Sequence, residues 1–384
     1  MVHMRKFGFV IAASLLMPLA HAAPKAKSYF VYIGTYTNNT TSKGIYVYRL
    51  NPATGEVTDI GLAAETTSPS FLAADPKGRF VYAVNEIGDY KGEKAGSVSA
   101  FSVDPKTGKL TFLNAVSTKS PGPCHLAVDK TAKTLLVANY SGGSVTAFPI
   151  GADGKVGEST SFDQHTGSGP DAKRQEAPHA HCANISANNK FAMVNDLGLD
   201  KVFVYKLDAA GSKISPNSPA TASVKPGSGP RHFAFHPNNK NAYVINEMAS
   251  TVTGFDYDAR KGALKEIQTI STLPADYKGD TTTAEIFVHP SGKFLYGSNR
   301  GHDSIAVFSI DAAGKLTYVE NTSTQGQVPR GFGIDPTGKY LIAGNQKTDN
   351  VVVFAIDQAT GKLKATGKTM TVGAPVSVMF VAAK

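Results

Sequence analysis

Apolar and polar residues alternate with a period of two in short runs along most of this chain, and no stretch of helical periodicity competes with them. The runs recur in a fixed order. "PSFLAADPKGRFVYAVNE" (69–86), "PRHFAFHPNNKNAYVINE" (230–247), "TAEIFVHPSGKFLYGSNR" (283–300) and "PRGFGIDPTGKYLIAGNQ" (329–346) each give a strand, an Asp-Pro or His-Pro turn, a second strand and an asparagine. "PCHLAVDKTAKTLLVANY" (123–140) fits without the turn proline, and "AHCANISANNKFAMVNDL" (180–197) fits with Asp196 in the asparagine place. A third strand follows each unit, as in "GSVTAFPIG" or "DNVVVFAID". A tight turn such as "QATGKL", whose glycine suits a left-handed position, then leads to a fourth.

The asparagines and Asp196 fall at 85, 139, 196, 246, 299 and 345, spaced as one four-stranded propeller blade requires. Six units are complete. The seventh is split: 29–36 and 43–58 supply its later strands, and "APVSVMFVA" (374–382) supplies its innermost one. Pairing the two chain ends in one sheet closes a ring without open strand edges. The expected fold is therefore an all-β, seven-bladed propeller over 23–384, and two stacked sandwiches would leave the split unit unexplained. His236 and His289 occupy the place of Asp75 and Asp335 before the turn proline, which reads as turn chemistry.

The first residues stand apart. Arg5 and Lys6 precede an apolar run over 7–16, and "AHAA" follows with a small-x-small cleavage site after Ala22. This is the pattern of a cleavable export signal over 1–22, too short for a comfortable membrane span. The expected mature protein is a periplasmic or secreted monomer with no membrane span. Losing Arg5 and Lys6 takes the formal charge from +9 to +7. The excess is scattered over turns with no long basic run, so nucleic acid is not expected as a partner. Cys124 and Cys182, the only cysteines, exclude a disulfide framework; two unpaired, half-buried thiols are preferred to one bridge.

In every unit the residue after the opening proline and the residue after the asparagine meet at the end opposite the Asp-Pro turn. The first position holds Ser70, Cys124, His181, Arg231, Ala284, Arg330 and Val376; the second holds Tyr36, Glu86, Tyr140, Leu197, Glu247, Arg300 and Gln346. Charged and imidazole groups thus gather on consecutive units, with His179, His232 and Glu285 adjacent. Arginine grips carboxylate or phosphate and stabilises a developing oxyanion, and a histidine or glutamate beside it moves a proton. Glu86 and Tyr140 read as pocket wall. Breaks at 158–178 and 269–282 enter first strands and belong to the same rim. Within the first of them, Arg174 and Lys173 fit a solvated pair better than a site.

Taken together, "APHAH" (177–181), "GPRHFAFHP" (229–237), "VINE" (244–247), "AEIFVHPSGKFLYGSNRGHDSIAVF" (284–308) and "PRGFGIDPTGKYLIAGNQ" resemble the seven-bladed propeller lactonases. That family includes propeller-type 6-phosphogluconolactonases and is similar to the fungal carboxymuconate-lactonizing enzyme. The resemblance implies hydrolysis of a lactone, without metal or other cofactor. It also implies a site of one histidine (His179 or His181), Arg231, Glu247 and Arg300, with Glu285 in a less defined role. Arg330, Gln346 and His232 join Glu285 as expected substrate-binding groups. A phosphorylated sugar lactone is a cytoplasmic metabolite, whereas an export signal points to another lactone, such as an unphosphorylated one. The rival reading is a non-catalytic propeller that binds a polyanion or a partner protein in the envelope.

Overall fold

The computed structural model of the protein describes residues 1–2 and 28–384. The expected export signal and cleavage site therefore lie, apart from the first two residues, outside the described residues. Among the described residues are seven four-stranded antiparallel sheets. Their innermost strands, in ring order, are Pro375–Ala382, Phe71–Ala74, Pro123–Val128, Ala180–Ile185, Pro230–Phe235, Thr282–Val288 and Pro329–Ile334. We number the blades 1 to 7 in that order. Neighbouring inner strands touch all the way round, and the last meets the first. Blade 1 is the split unit: Pro375–Ala382 pairs antiparallel with Tyr29–Thr35, so the two ends of the chain share one sheet. The ring is the seven-bladed propeller expected from the repeat.

The core lies between blades. One buried cluster combines Phe30, Tyr32, Ile45 and Val47 of blade 1 with Leu72, Val81, Ala83 and Phe101 of blade 2. Another joins Phe294, Tyr296 and Ile305 of blade 6 to Phe332, Leu341 and Phe354 of blade 7. The second strands, such as Tyr29–Thr35, Thr134–Asn139 and Asn241–Asn246, are buried along their whole length, so successive side chains pack into both faces of the sheet and each face is covered by a neighbouring blade.

The recurring turn chemistry is explained by what it docks on. In five blades the asparagine closing the second strand is buried and bonds to groups around it: Asn299 Nδ2 donates to Thr272 O (3.0 Å) and Ser304 Oγ (3.2 Å). In the inner turns Asp335 Oδ1 accepts from the amides of Lys339 and Tyr340. In the same place, His289 Nε2 donates to Gly338 O of the next blade at 2.7 Å. The outer Gly-Lys hairpin docks on the preceding blade. Tyr32, Tyr243 and Tyr296 donate to the carbonyls of Gly108, Gly314 and Gly361 at 2.7, 2.9 and 2.8 Å.

The break expected over 158–178 is interrupted by structure, because Ser161–Gln164 forms the outer strand of blade 3. Likewise the strand Ala263–Ser271 takes the first part of 269–282. What remains of the first break, 165–179, is ordered by buried polar groups. His165 Nδ1 is 2.6 Å from Asp196 Oδ2 and its Nε2 is 2.8 Å from Tyr205 Oη, while Gln175 Nε2 donates to Leu197 O at 2.8 Å.

Gly361 has φ +75°, and a Cβ there would lie 2.5 Å from Cδ1 of Phe294 in the preceding blade. Gly361→Ala combines left-handed strain with overpacking and is expected to cost about 2 kcal/mol or more. Tyr296→Phe, which removes one buried hydrogen bond, should cost about 1 kcal/mol. Urea unfolding measures both; an unchanged midpoint for Gly361→Ala would show that hairpin docking does not hold adjacent blades.

Candidate active site

The opening residues of the inner strands are β-bulges. Pro230 pairs with Asn246 and His232 with Ile245, leaving Arg231 as the extra residue between them. The same shift leaves Cys124, His181 and Arg330 unpaired in blades 3, 4 and 7. A bulge turns a side chain out of the alternation of its strand. Repeated around the ring, it delivers a set of side chains to one end of the channel without disturbing the sheets behind them.

Glu247, which follows the closing asparagine of blade 5, is the centre of this end. Its Oε1 accepts from Arg174 Nη2 at 2.6 Å. Its Oε2 accepts from Arg231 Nε at 3.0 Å and lies 3.0 Å from Arg300 Nη2. Two of these guanidiniums are also tied to backbone: Arg231 Nη1 donates to Ala284 O (2.6 Å) and Arg300 Nη2 to Thr283 O (2.7 Å). Burial alone would raise the Glu247 pKa, but Arg300, Arg231 and Arg174 hold the carboxyl at about 2.

The arginines differ in depth. Arg231 is only 2 % exposed and stands behind Glu247, whereas Arg174, Arg300 and Arg330 line a cavity of about 340 Å³ together with His181, Glu247, Glu86, Tyr140, Cys124 and Thr282. Arg330 lies over the Tyr36 ring at 5.4 Å, and the Tyr36 hydroxyl donates to Glu86 Oε2 at 2.9 Å. Among the described residues it has no carboxylate within salt-bridge reach, unlike the three guanidiniums on Glu247. Four guanidiniums thus meet two carboxylates, and the cavity is cationic.

The two histidines of "PHAH" have different surroundings. His181 lines the cavity, with Nδ1 3.7 Å from Cys124 Sγ. Burial first, then Arg231, His232 and Arg330, keep its pKa well below the ordinary 6.5, so the imidazole is neutral. His179 stacks on Tyr140 at 4.6 Å, its Nδ1 donates to Tyr140 O at 3.1 Å, and it does not line the cavity. The Cys124 thiol is pushed up by burial and by Glu86, so it keeps its proton and is no thiolate nucleophile. Cys182 is likewise free and buried.

His232 and Glu285 face elsewhere. They form a buried pair, Nδ1 to Oε1 at 2.7 Å, in the wall of a second cavity further down the channel. Gln346 is half-buried and lines neither cavity.

A propeller whose channel mouth carries these groups can be set beside known proteins. The family model "Lactonase, 7-bladed beta-propeller" matches residues 30–380. The chain is an enzyme of the seven-bladed β-propeller lactonase family. Among its relatives this lactonase is 39 % identical over 354 residues to the 6-phosphogluconolactonase of Bacillus subtilis, covering 92 % of this chain and 98 % of that one. It is 35 % identical over 315 residues to the 6-phosphogluconolactonase of Formosa agariphila, covering 79 % and 86 %. The solved structure of the Pseudomonas aeruginosa periplasmic gluconolactonase PpgL superposes with a TM-score of 0.87 at 33 % identity, over 93 % of this chain and 100 % of that one.

Sequence reasoning sets Arg174 aside as a solvated side chain, yet it makes the shortest contact to Glu247. The signal that could have found it is the loop itself: a long break over the rim whose buried His165 and Gln175 fix it in place.

The clamp on Glu247 has a stability consequence. Its folded pKa lies below the ordinary 4.5, so its stabilisation is complete above about pH 4.5 and is lost as pH falls towards 2. Glu247→Gln leaves buried guanidinium groups without their counter-charge and should cost about 3–5 kcal/mol at neutral pH. The difference between wild type and variant should narrow below pH 4.5. Urea midpoints across pH read this directly, and a pH-independent difference would contradict the clamp.

Proposed function

We propose that this lactonase hydrolyses a sugar lactone to its aldonic acid in the mouth cavity, and does so outside the cytoplasm. The observation that carries the chemistry is the convergence of Glu247, three guanidiniums and Arg330 around a cavity lined by neutral His181. Export is supported by the signal pattern in 1–22 and by kinship with a periplasmic gluconolactonase.

The lactone carbonyl binds with its oxygen towards Arg300 and Arg330. Water attacks the carbonyl carbon, and His181 takes the proton as the new C–O bond forms. Negative charge then develops on the carbonyl oxygen, where guanidinium groups in a low-dielectric cavity stabilise it most. Collapse of the tetrahedral intermediate breaks the ring C–O bond, and the imidazolium returns its proton to the departing ring oxygen. The resulting carboxylic acid loses a proton and leaves as the aldonate.

Glu247 is a poor base here, because a carboxyl held at about 2 has little proton affinity. Its part is to fix Arg174 and Arg300 in place and to keep their mutual repulsion from spreading them. Arg231, buried behind it, is a positioning residue. Arg330 has no such anchor and is the guanidinium freest to meet an anionic product or substrate group. Tyr36 and Glu86 keep it charged against the opposing effect of burial.

Opening of a sugar lactone, corrected for the buffer rate, is expected to fall about 10²- to 10³-fold in kcat/KM for Arg300→Ala. His181→Asn should lose about 10²-fold or more in kcat, and His179→Asn no more than about threefold. The reverse order for the two histidines would move the base to His179. A wild type no faster than buffer on a lactone panel would leave only a binding role.

The acid limb of kcat/KM is a separate check. A neutral His181 is required, and its pKa is depressed, so activity should persist through pH 6.5 and fall only at more acidic values. An acid limb centred at or above 6.5 would exclude His181 as the base.

A further inference from the structure

Below the mouth, a chain of rings crosses the channel: His181 against His232 at 5.2 Å, His232 against His125 at 5.1 Å, and His125 stacked on Phe71 at 4.0 Å. On the far side of these rings lies a second cavity of about 600 Å³, larger than the mouth cavity and walled by all seven inner strands. Its lining is dominated by apolar side chains, among them Phe71, Phe235, Phe287, Ile334, Met379 and Phe380. Polar groups are confined to a few positions: His125, His232 and Glu285 at the ring partition, and Asn184. An apolar chamber of this size with a few convergent polar groups has the form of a small-molecule site.

One atom there is unsatisfied. His232 is 4 % exposed, its Nδ1 is bonded to Glu285 Oε1 at 2.7 Å, and its Nε2 is buried without a partner. With Glu285 ionised, the proton of the Nδ1–Oε1 contact sits on nitrogen, and Nε2 carries a lone pair and accepts. When the pair takes up one further proton, Glu285 becomes a neutral acid that donates to Nδ1, and the ring hydrogen is carried by Nε2, which donates. Both states are accessible at neutral pH, because burial raises the Glu285 pKa to about 7 while burial, Arg231 and Arg330 keep the imidazole uncharged. A hydroxyl group, both donor and acceptor, matches Nε2 in either state. A carboxylate head would face Glu285, and an ammonium head would exchange its hydration for a carboxylate already engaged by His232 and the Ile286 amide.

We propose that the lower cavity is a second binding site, for a small neutral molecule with an apolar ring body and one hydroxyl, an aromatic or alicyclic alcohol, whose hydroxyl meets Nε2 of His232. This site is separate from the mouth and does not rest on the lactone-opening reading.

2-Naphthol and naphthalene are suitable probes, differing by the hydroxyl alone. The chain contains no tryptophan, so naphthol emission is free of indole background. Titration of the full chain should show saturable binding of one molecule per chain, with 2-naphthol about three- to tenfold tighter than naphthalene. His232→Phe, which keeps a ring in the partition but removes Nε2, should abolish that preference. Ala127→Phe, which fills the lower cavity without touching the His232–Glu285 pair, should weaken both probes about tenfold or more; it tests the site independently if His232→Phe does not fold. Arg300→Ala, in the mouth, should bind both probes as the wild type does. Absence of saturable binding, loss of it in Arg300→Ala, a naphthol preference that survives His232→Phe, or wild-type affinities in Ala127→Phe would each overturn the proposal.

Discussion

One carboxylate holds the working end of this molecule together. Glu247 collects guanidinium groups from a loop (Arg174), from its own blade (Arg231) and from the next blade (Arg300). None of these cations could crowd the others in a half-buried cavity without it, since unpaired buried charge is among the costliest arrangements a fold can contain. The same clamp makes Glu247 a poor base, and the mechanism we propose gives that task to the imidazole of His181. Charge compensation and choice of base therefore have one physical origin.

The propeller supplies the geometry that such a clamp requires. Each blade is a rigid sheet whose apolar faces are covered by its neighbours, and the ring is fastened where the two chain ends share a sheet. Bulges at the inner-strand starts then redirect Cys124, His181, Arg231 and Arg330 while the alternation resumes two residues later. The side chains that follow in two of these strands, His125 and His232, line the chamber below. One residue of register separates an aqueous, cationic mouth from an apolar cavity.

The repeat is legible in the sequence because its signals are local. An aspartate before a turn proline, a glycine after a hairpin threonine and an asparagine that ties three strands each act within a few residues, and the alternation between them is dictated by burial. The gathering of Arg231, Glu247 and Arg300 at one end also follows from the repeat. Depth does not. Whether Arg231 faces a cavity or stands behind Glu247, and whether His232 and Glu285 face the mouth or the lower chamber, depends on the bulges and on neighbouring blades. Those are long-range features that spacing does not encode. Arg174 escapes for a different reason: its place depends on a loop held by His165–Asp196 and Gln175–Leu197, contacts between residues far apart in sequence.

A crystal structure of the protein with a bound aldonate bears most directly on the claim that this cluster is where a lactone is opened. The carboxylate should lie within hydrogen-bonding distance of Arg300 and Arg330, with His181 beside it and the Glu247 clamp unbroken. An aldonate seated away from the mouth, or one that displaces Arg300 from Glu247 and leaves His181 out of reach, would contradict it.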